Sequence, residues 1–201
     1  RTPDSTRVQD QTYKLIFLTA VIVATAIRVR WALPTKRLPV ARDWGSRLDL
    51  TLLFIATAGM LLPLVYIATP WLDFADYALP SWAGWCGIPW LLVGLWILWR
   101  AHADLGRNFA PTPLIREAHT LVTTGIYARM RHPMYAAHIY WSIGQALLLQ
   151  NWIAGLAMPA LMLPLCIFRV PIEERMLRET FGAAYADYMA QSWRYFPKPR
   201  V

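Results

Sequence analysis

The sequence predicts an all-α integral membrane protein of about five transmembrane helices, its N-terminus outside and its C-terminus in the cytosol. Three observations predict it. Of 201 residues, 57% are hydrophobic and 16% charged. A soluble domain carries about 25% charge, so too little polar sequence remains here to coat a soluble helical core. The apolar residues gather in uncharged runs of spanning length. Basic loops alternate with non-basic ones along the chain.

The helices follow in order. Residues 15–27 are apolar apart from two Thr, and Leu33 extends them past Arg28 and Arg30, whose long stems snorkel. The polar start, residues 1–11, lacks the basic, apolar, cleavable order of a signal peptide, so the first helix is expected to stay as an anchor. It should end near Trp31, with Pro34 and Pro39 marking an extended basic loop. Residues 50–69 and 79–99 carry no charge, and each suits one span of about 20 apolar residues. The first of these holds Gly59 and Pro63, tolerated where neighbouring helices re-satisfy the backbone. The second is expected to continue past the membrane surface through Arg100 and Asp104 to Gly106. Residues 136–168 form a run too long for one helix. Two short helices joined by a tight polar turn at Gln150-Asn151 fit it.

Charge placement tests this topology independently. Residues 28–47 hold six Lys/Arg and one acid, residues 70–80 hold two Asp and no base, residues 100–131 hold five Arg, and residues 169–201 hold six Lys/Arg. The alternation obeys the positive-inside rule. The net charge of +8 then reflects topology and attraction to anionic lipid heads. No aromatic-interleaved basic patch points to nucleic acid. Cys86 and Cys166 fall inside spans as small apolar side chains, away from disulfide or metal-ligand spacing. High Ala, Arg and Trp usage points to a prokaryotic cytoplasmic (inner) membrane.

Polar residues concentrate at the cytosolic ends of the last three spans. Residues 107–131 form the longest polar segment, turned by Pro111, Pro113 and Gly125 and accompanied by His102, His119 and His132. The string Arg131-His132-Pro133-Met134-Tyr135 enters span four. Arg169, Glu173 and Glu174 leave span five around Pro171, which should kink or restart the helix. A tight hairpin sets these strings side by side at one membrane face. Plainer roles stand beside this reading. Arg131 and Arg169 suit positive-inside anchors, Glu173 and Glu174 suit first-turn acids, and His132-Pro133 suits a helix start. Tyr127, Tyr135 and Tyr140 suit an interfacial belt. Three histidines without a carboxylate cluster indicate no metal, and the missing G-x-G-x-x-G argues against a soluble-type dinucleotide or methyltransferase domain. Residues 172–189 place apolar side chains at helical spacing, an amphipathic tail that Gly182 splits.

The order and spacing of several strings is specific. They are His102-Ala-Asp-Leu-Gly106-Arg-Asn-Phe109, His119-Thr-Leu121-Val122-Thr-Thr-Gly125-Ile126-Tyr127, Arg131-His132-Pro133-Met-Tyr135, Arg169 through Glu173-Glu174, and Phe181-Gly182-Ala-Ala-Tyr185-Ala-Asp-Tyr188. Together, over residues 95–200, they resemble the isoprenylcysteine carboxyl methyltransferase family, a compact prokaryotic member related to phospholipid methyltransferases. The resemblance implies S-adenosyl-L-methionine as cofactor, S-adenosyl-L-homocysteine as product, and a cytosol-facing pocket. It divides the chain into residues 1–99, the first three helices, and residues 100–201, the methyltransferase region, with the 100–135 loop and a C-terminal helix building the pocket. It implies cofactor contacts from His119, Leu121, Val122, Gly125, Ile126, Tyr127, Arg131, His132, Pro133, Tyr135 and Glu173. It makes Arg169 and Glu174 the catalytic pair, and brings the lipophilic or prenylated substrate in sideways from the bilayer. Three rival readings carry other chemistry: methylation of a phospholipid amine or small thiol, an NADPH-dependent sterol-type reductase, and a non-catalytic scaffold.

Overall fold

The computed structural model describes residues 3–199. Arg1, Thr2, Arg200 and Val201, at the outer limits of the two expected regions, lie outside the described residues. Helix α1 (Pro3–Thr35) runs one turn beyond the expected end at Trp31 and takes Pro34 into its last turn. The second span is α2 (Arg47–Gly59) followed by α3 (Leu62–Ala68), broken where Pro63 opens α3. Helix α4 (Ala83–Leu105) ends at Gly106, as the sequence predicts. Helix α5 (Pro133–Leu149) and helix α6 (Trp152–Pro164) form the expected hairpin.

Among the described residues, four segments are long and apolar enough to cross a membrane: Val8–Thr35, Arg47–Ala68, Ala83–Asn108 and Trp152–Phe181. The fourth expected span, α5, is not among them; it has 17 residues, at the lower edge of the roughly 17–25 that a spanning helix uses. It packs along α4, and the two backbones meet at Gly87 and Gly144. A Cβ on Gly87 would come within 2.9 Å of the Gly144 carbonyl oxygen, and one on Gly144 within 2.8 Å of that of Gly87. Small residues at such crossings let membrane helices gain dispersion contact. Phe17 of α1 and Tyr66 of α3 complete this core with Leu91, Trp141 and Leu148. Leu15, Ile22, Phe54 and Leu92 are exposed, as side chains facing lipid are.

The Gln150-Asn151 turn works as its residue types require. Gln150 adopts the left-handed conformation with φ +47°. Asn151, fully buried, caps α6 by accepting from the Ile153 and Ala154 amides at 3.0 and 2.8 Å, and donates to the Leu72 carbonyl and Asp76. One helical path then continues from α6 through a π-turn (Leu165–Arg169) into α7 (Val170–Phe181). The wider turn accommodates Pro171, which cannot donate and would strike the carbonyl four residues back. Gly182 separates α7 from α8 (Ala183–Gln191), whose Tyr185 and Tyr188 are buried.

The chain is not purely helical. Strands β1 (Val40–Asp43) and β2 (Leu114–Arg116) pair antiparallel, tying the loop after α1 to the loop after α4 at one end of the bundle. Segments of three and four residues are too short for periodicity to reveal.

Candidate functional site

The first turn of α5 and the first turn of α7 meet at the end of the bundle that carries the β1–β2 ribbon. His132, at the N-cap position of α5, reaches Glu174 with Nε2 at 3.3 Å from Oε1. Arg131 Nε donates to the same oxygen at 3.3 Å. Arg194, from the tail after α8, adds two bonds, Nε to Oε1 at 3.1 Å and Nη2 to Oε2 at 2.7 Å. Four donors occupy a carboxylate with about four lone-pair sites, and Glu174 is 2% exposed. Its hydrogen bonds push the Arg194 guanidinium above its ordinary value. Arg131 also donates to the Met189 and Ser192 carbonyls. The Arg131 and His132 amides donate to the Trp193 and Arg194 carbonyls at 2.8 and 2.9 Å. The tail is thus laced onto the start of α5.

Glu173 points elsewhere. Its Oε1 accepts from Tyr135 Oη at 2.9 Å and from Arg169 Nε at 2.8 Å, and Oε2 lies 3.7 Å from His132 Nδ1. Arg169 donates through Nη2 to the Pro111 carbonyl, and its Nε lies 3.6 Å from Asp49 Oδ1. Asp49, in the first turn of α2, is 1% exposed, and neither of its carboxylate oxygens accepts a hydrogen bond among the described residues. The rings of His132, Tyr135 and Tyr195 gather beside these groups, with centroids 5.7, 6.2 and 6.5 Å apart. Arg169 is therefore gripped by Glu173, one helical turn away. Glu174, its expected catalytic partner, is occupied by Arg131, His132 and Arg194.

The remaining expected residues brace the 107–131 loop. Gly125 has φ +62°, and a Cβ there would fall 2.2 Å from Asp104 Oδ2. That oxygen accepts the Ile126 amide at 2.7 Å, while Arg100 holds Oδ1. Tyr127 is buried, donates to the Ala101 carbonyl, and accepts at its own carbonyl from Tyr188. Pro133 is buried in the first turn of α5. Leu121 and Val122 are half-buried in the loop. His119 lies beside Phe181, at the far end of α7 from Glu174, the two rings tilted by 45° with centroids 6.0 Å apart. Burial, with repulsion from Arg116, lowers its imidazole below the ordinary value. The structure thus joins Arg131, His132, Tyr135, Arg169, Glu173 and Glu174, and sets His119 apart from their hydrogen bonds.

Three contributors escape the sequence reading. Asp49 lies one residue before an uncharged run and reads as its flank. Arg194 and Tyr195 belong to a tail whose charges count equally well as positive-inside anchors. An acid at a span edge in the same chain as an unpaired motif arginine is the signal that points to Asp49; no local signal marks Arg194.

A sequence profile of the isoprenylcysteine carboxyl methyltransferase family matches residues 86–179. Protein-S-isoprenylcysteine O-methyltransferase B of Arabidopsis thaliana is 32% identical over 157 residues, 75% of this chain and 79% of the plant protein. Protein-S-isoprenylcysteine O-methyltransferase A of the same plant is 34% identical over 134 residues, 65% of this chain and 67% of that one. A solved eukaryotic intramembrane Ras methyltransferase, also an isoprenylcysteine carboxyl methyltransferase, superposes with a TM-score of 0.52 at 29% identity. The match covers 77% of this chain and 54% of that one, so this chain spans about half the length of the solved protein.

Proposed function

The chain belongs to the isoprenylcysteine carboxyl methyltransferase family of membrane methyltransferases, and on that premise we propose that it methylates the carboxylate of an isoprenylcysteine-like, lipid-tailed acceptor, using S-adenosylmethionine at the cytosolic face. The observation that carries the proposal is the joining of Tyr135, Arg169, Glu173 and Asp49 in one cluster at the mouths of α5 and α7. Two carboxylates face one guanidinium there, beside three aromatic rings. That excess of negative charge beside aromatic rings fits a cationic sulfonium donor. The five-span topology, N-terminus outside, is part of the proposal. It rests on the alternating loop charges and puts the cluster on the basic-loop side.

When bound, the cofactor supplies an electrophilic methyl group. The chain's residues do the rest. Arg169 uses Nε on Glu173 and one Nη2 proton on Pro111, which leaves three of a guanidinium's five N–H groups for the acceptor carboxylate. Glu173, fixed by Tyr135 and Arg169, holds negative charge beside the sulfonium. Glu174 acts at one remove. Through Arg131, His132 and Arg194 it fixes the start of α5 and hence the Tyr135 ring. With the cofactor bound, the acceptor oxygen oriented by Arg169 would take the methyl group as the carbon–sulfur bond breaks, the electron pair leaving on sulfur. No proton moves, so no general base is required. Opposite charges cancel along this path, which a poorly hydrated pocket favours. Most of the acceleration comes from alignment.

The test is transfer of labelled methyl from S-adenosylmethionine to N-acetyl-S-farnesylcysteine by reconstituted protein, read as base-labile ester. An amine acceptor such as phosphatidylethanolamine needs a base to take its proton and meets a cation in Arg169. It should gain no label. Label on the amine lipid alone, or tight binding of NADPH with none of S-adenosylmethionine, refutes the assignment.

A further inference from the structure

Away from the Glu174 cluster, α1 and α5 enclose a second charged group. Arg28 Nη1 donates to His138 Nε2 at 3.4 Å, and His138 Nδ1 donates to the Met134 carbonyl at 2.6 Å. The backbone bond leaves the Nε2 lone pair facing Arg28, so the pair is one imidazole acceptor and one cation. Among the described residues no carboxylate lies within ion-pair range of Arg28. An intramembrane cation persists where something pairs with it.

The surroundings say what kind of partner fits. Arg28 and His138 line one end of a cleft between α1, α4 and α5 that is open on one side. A second hollow abuts it and shares Val21, Met60, Trp141 and Met158. Apart from Gln145, whose amide is held by Trp141 and the Ala154 carbonyl, the second cavity is apolar. His138 stands five residues into α5, about 7–8 Å along the axis from its start at 1.5 Å per residue.

We propose that the α1–α5 cleft binds an anionic amphiphile, its oxyanion head on Arg28, its chain in the apolar trough, and His138 fixing the guanidinium fork. A planar fork matches phosphate or carboxylate bidentately. Two sources share this chemistry: a bilayer phospholipid, and the lipid-tailed carboxylate acceptor, held there before its carboxylate passes to Arg169. The second rests on the methyltransferase reading; the first does not.

The test compares the full-length parent chain with Arg28→Gln and Arg28→Lys in nanodiscs of equal phosphatidylglycerol and phosphatidylcholine. Lipid retention is read by native mass spectrometry and the KM for N-acetyl-S-farnesylcysteine by methyl transfer. A preference for phosphatidylglycerol that falls at least fivefold in Arg28→Gln assigns the head to a phospholipid. An acceptor KM at least tenfold higher, with retention unchanged, assigns it to the acceptor. Arg28→Lys, which keeps charge without the fork, should fall between. If Arg28→Gln does not fold, the parent protein still decides. Its unfolding midpoint or its acceptor KM should rise with phosphatidylglycerol and not with phosphatidylcholine. No response of retention, midpoint and KM overturns the proposal. A chain that methylates nothing but retains phosphatidylglycerol through Arg28 refutes the enzyme assignment and leaves the lipid site standing.

Discussion

The Glu174 cluster and the Arg169 cluster grow from the same two helix ends, yet they differ in how fully the chain satisfies them. Glu174 is buried and takes four hydrogen bonds from Arg131, His132 and Arg194. Arg169 is buried too, but it faces Glu173 at 2.8 Å and Asp49 at 3.6 Å and keeps N–H groups unclaimed. A saturated buried network holds a fold together, and removing one member strands the others. An unsaturated one is where a ligand's charge finds partners. Adjacent carboxylates in one helical turn thus differ in their partners: Glu174 binds the tail to α5, and Glu173 is the one we propose faces the methyl donor.

The difference is broken most strongly at Glu174. Glu174→Ala leaves Arg131 buried without its carboxylate and should cost about 3–5 kcal/mol of stability, measured by denaturant unfolding in micelles. Unchanged stability with abolished methyl transfer would move Glu174 into the chemistry. Arg169→Lys keeps the charge and loses the fork. Methyl transfer should fall about 10²-fold, the scale of a misplaced nucleophile, with unfolding close to the parent. Parent-like transfer would leave Arg169 a mere anchor. Asp49→Asn removes the second carboxylate facing Arg169. The kcat/KM for the acceptor should drop about tenfold, the scale of one charge-assisted contact, and Asp49→Glu should restore part of it. Equal loss in both variants reduces Asp49 to packing.

The smallest effect lies at His119. Burial lowers its folded pKa, so the unfolded chain takes up the proton first as pH falls below about 6.5. The stability this group contributes is present above that value and is lost as pH falls through the folded one. His119→Gln should therefore flatten the drop in unfolding midpoint between pH 7.5 and 5.5. An unaltered drop places the titrating group elsewhere.

Features encoded by neighbours in the chain were legible beforehand. Uncharged runs gave the spans, because burial in lipid acts residue by residue. The Gln150-Asn151 hairpin and the Gly182 break were legible because a left-handed turn, a cap and a helix stop each have their own residue types. The meeting of the His132 and Glu174 strings followed from that hairpin. What stayed hidden depends on residues far apart in sequence. The β1–β2 ribbon joins segments more than seventy residues apart. Arg194 reaches Glu174 through a tail with no periodic signal. Asp49 meets Arg169 across 120 positions. That Arg169 pairs with Glu173 and not Glu174 is ordinary i,i+4 spacing, legible only once the helix is known to run unbroken past Pro171.

The central claim is that Glu173 holds negative charge beside the sulfonium, while Glu174 does not. Calorimetric titration of the parent and Glu173→Gln with cationic S-adenosylmethionine and with its neutral thioether product, S-adenosylhomocysteine, reads that charge directly. The account predicts that Glu173→Gln weakens the sulfonium at least fivefold more than the thioether. Equal weakening of both, or of neither, contradicts it.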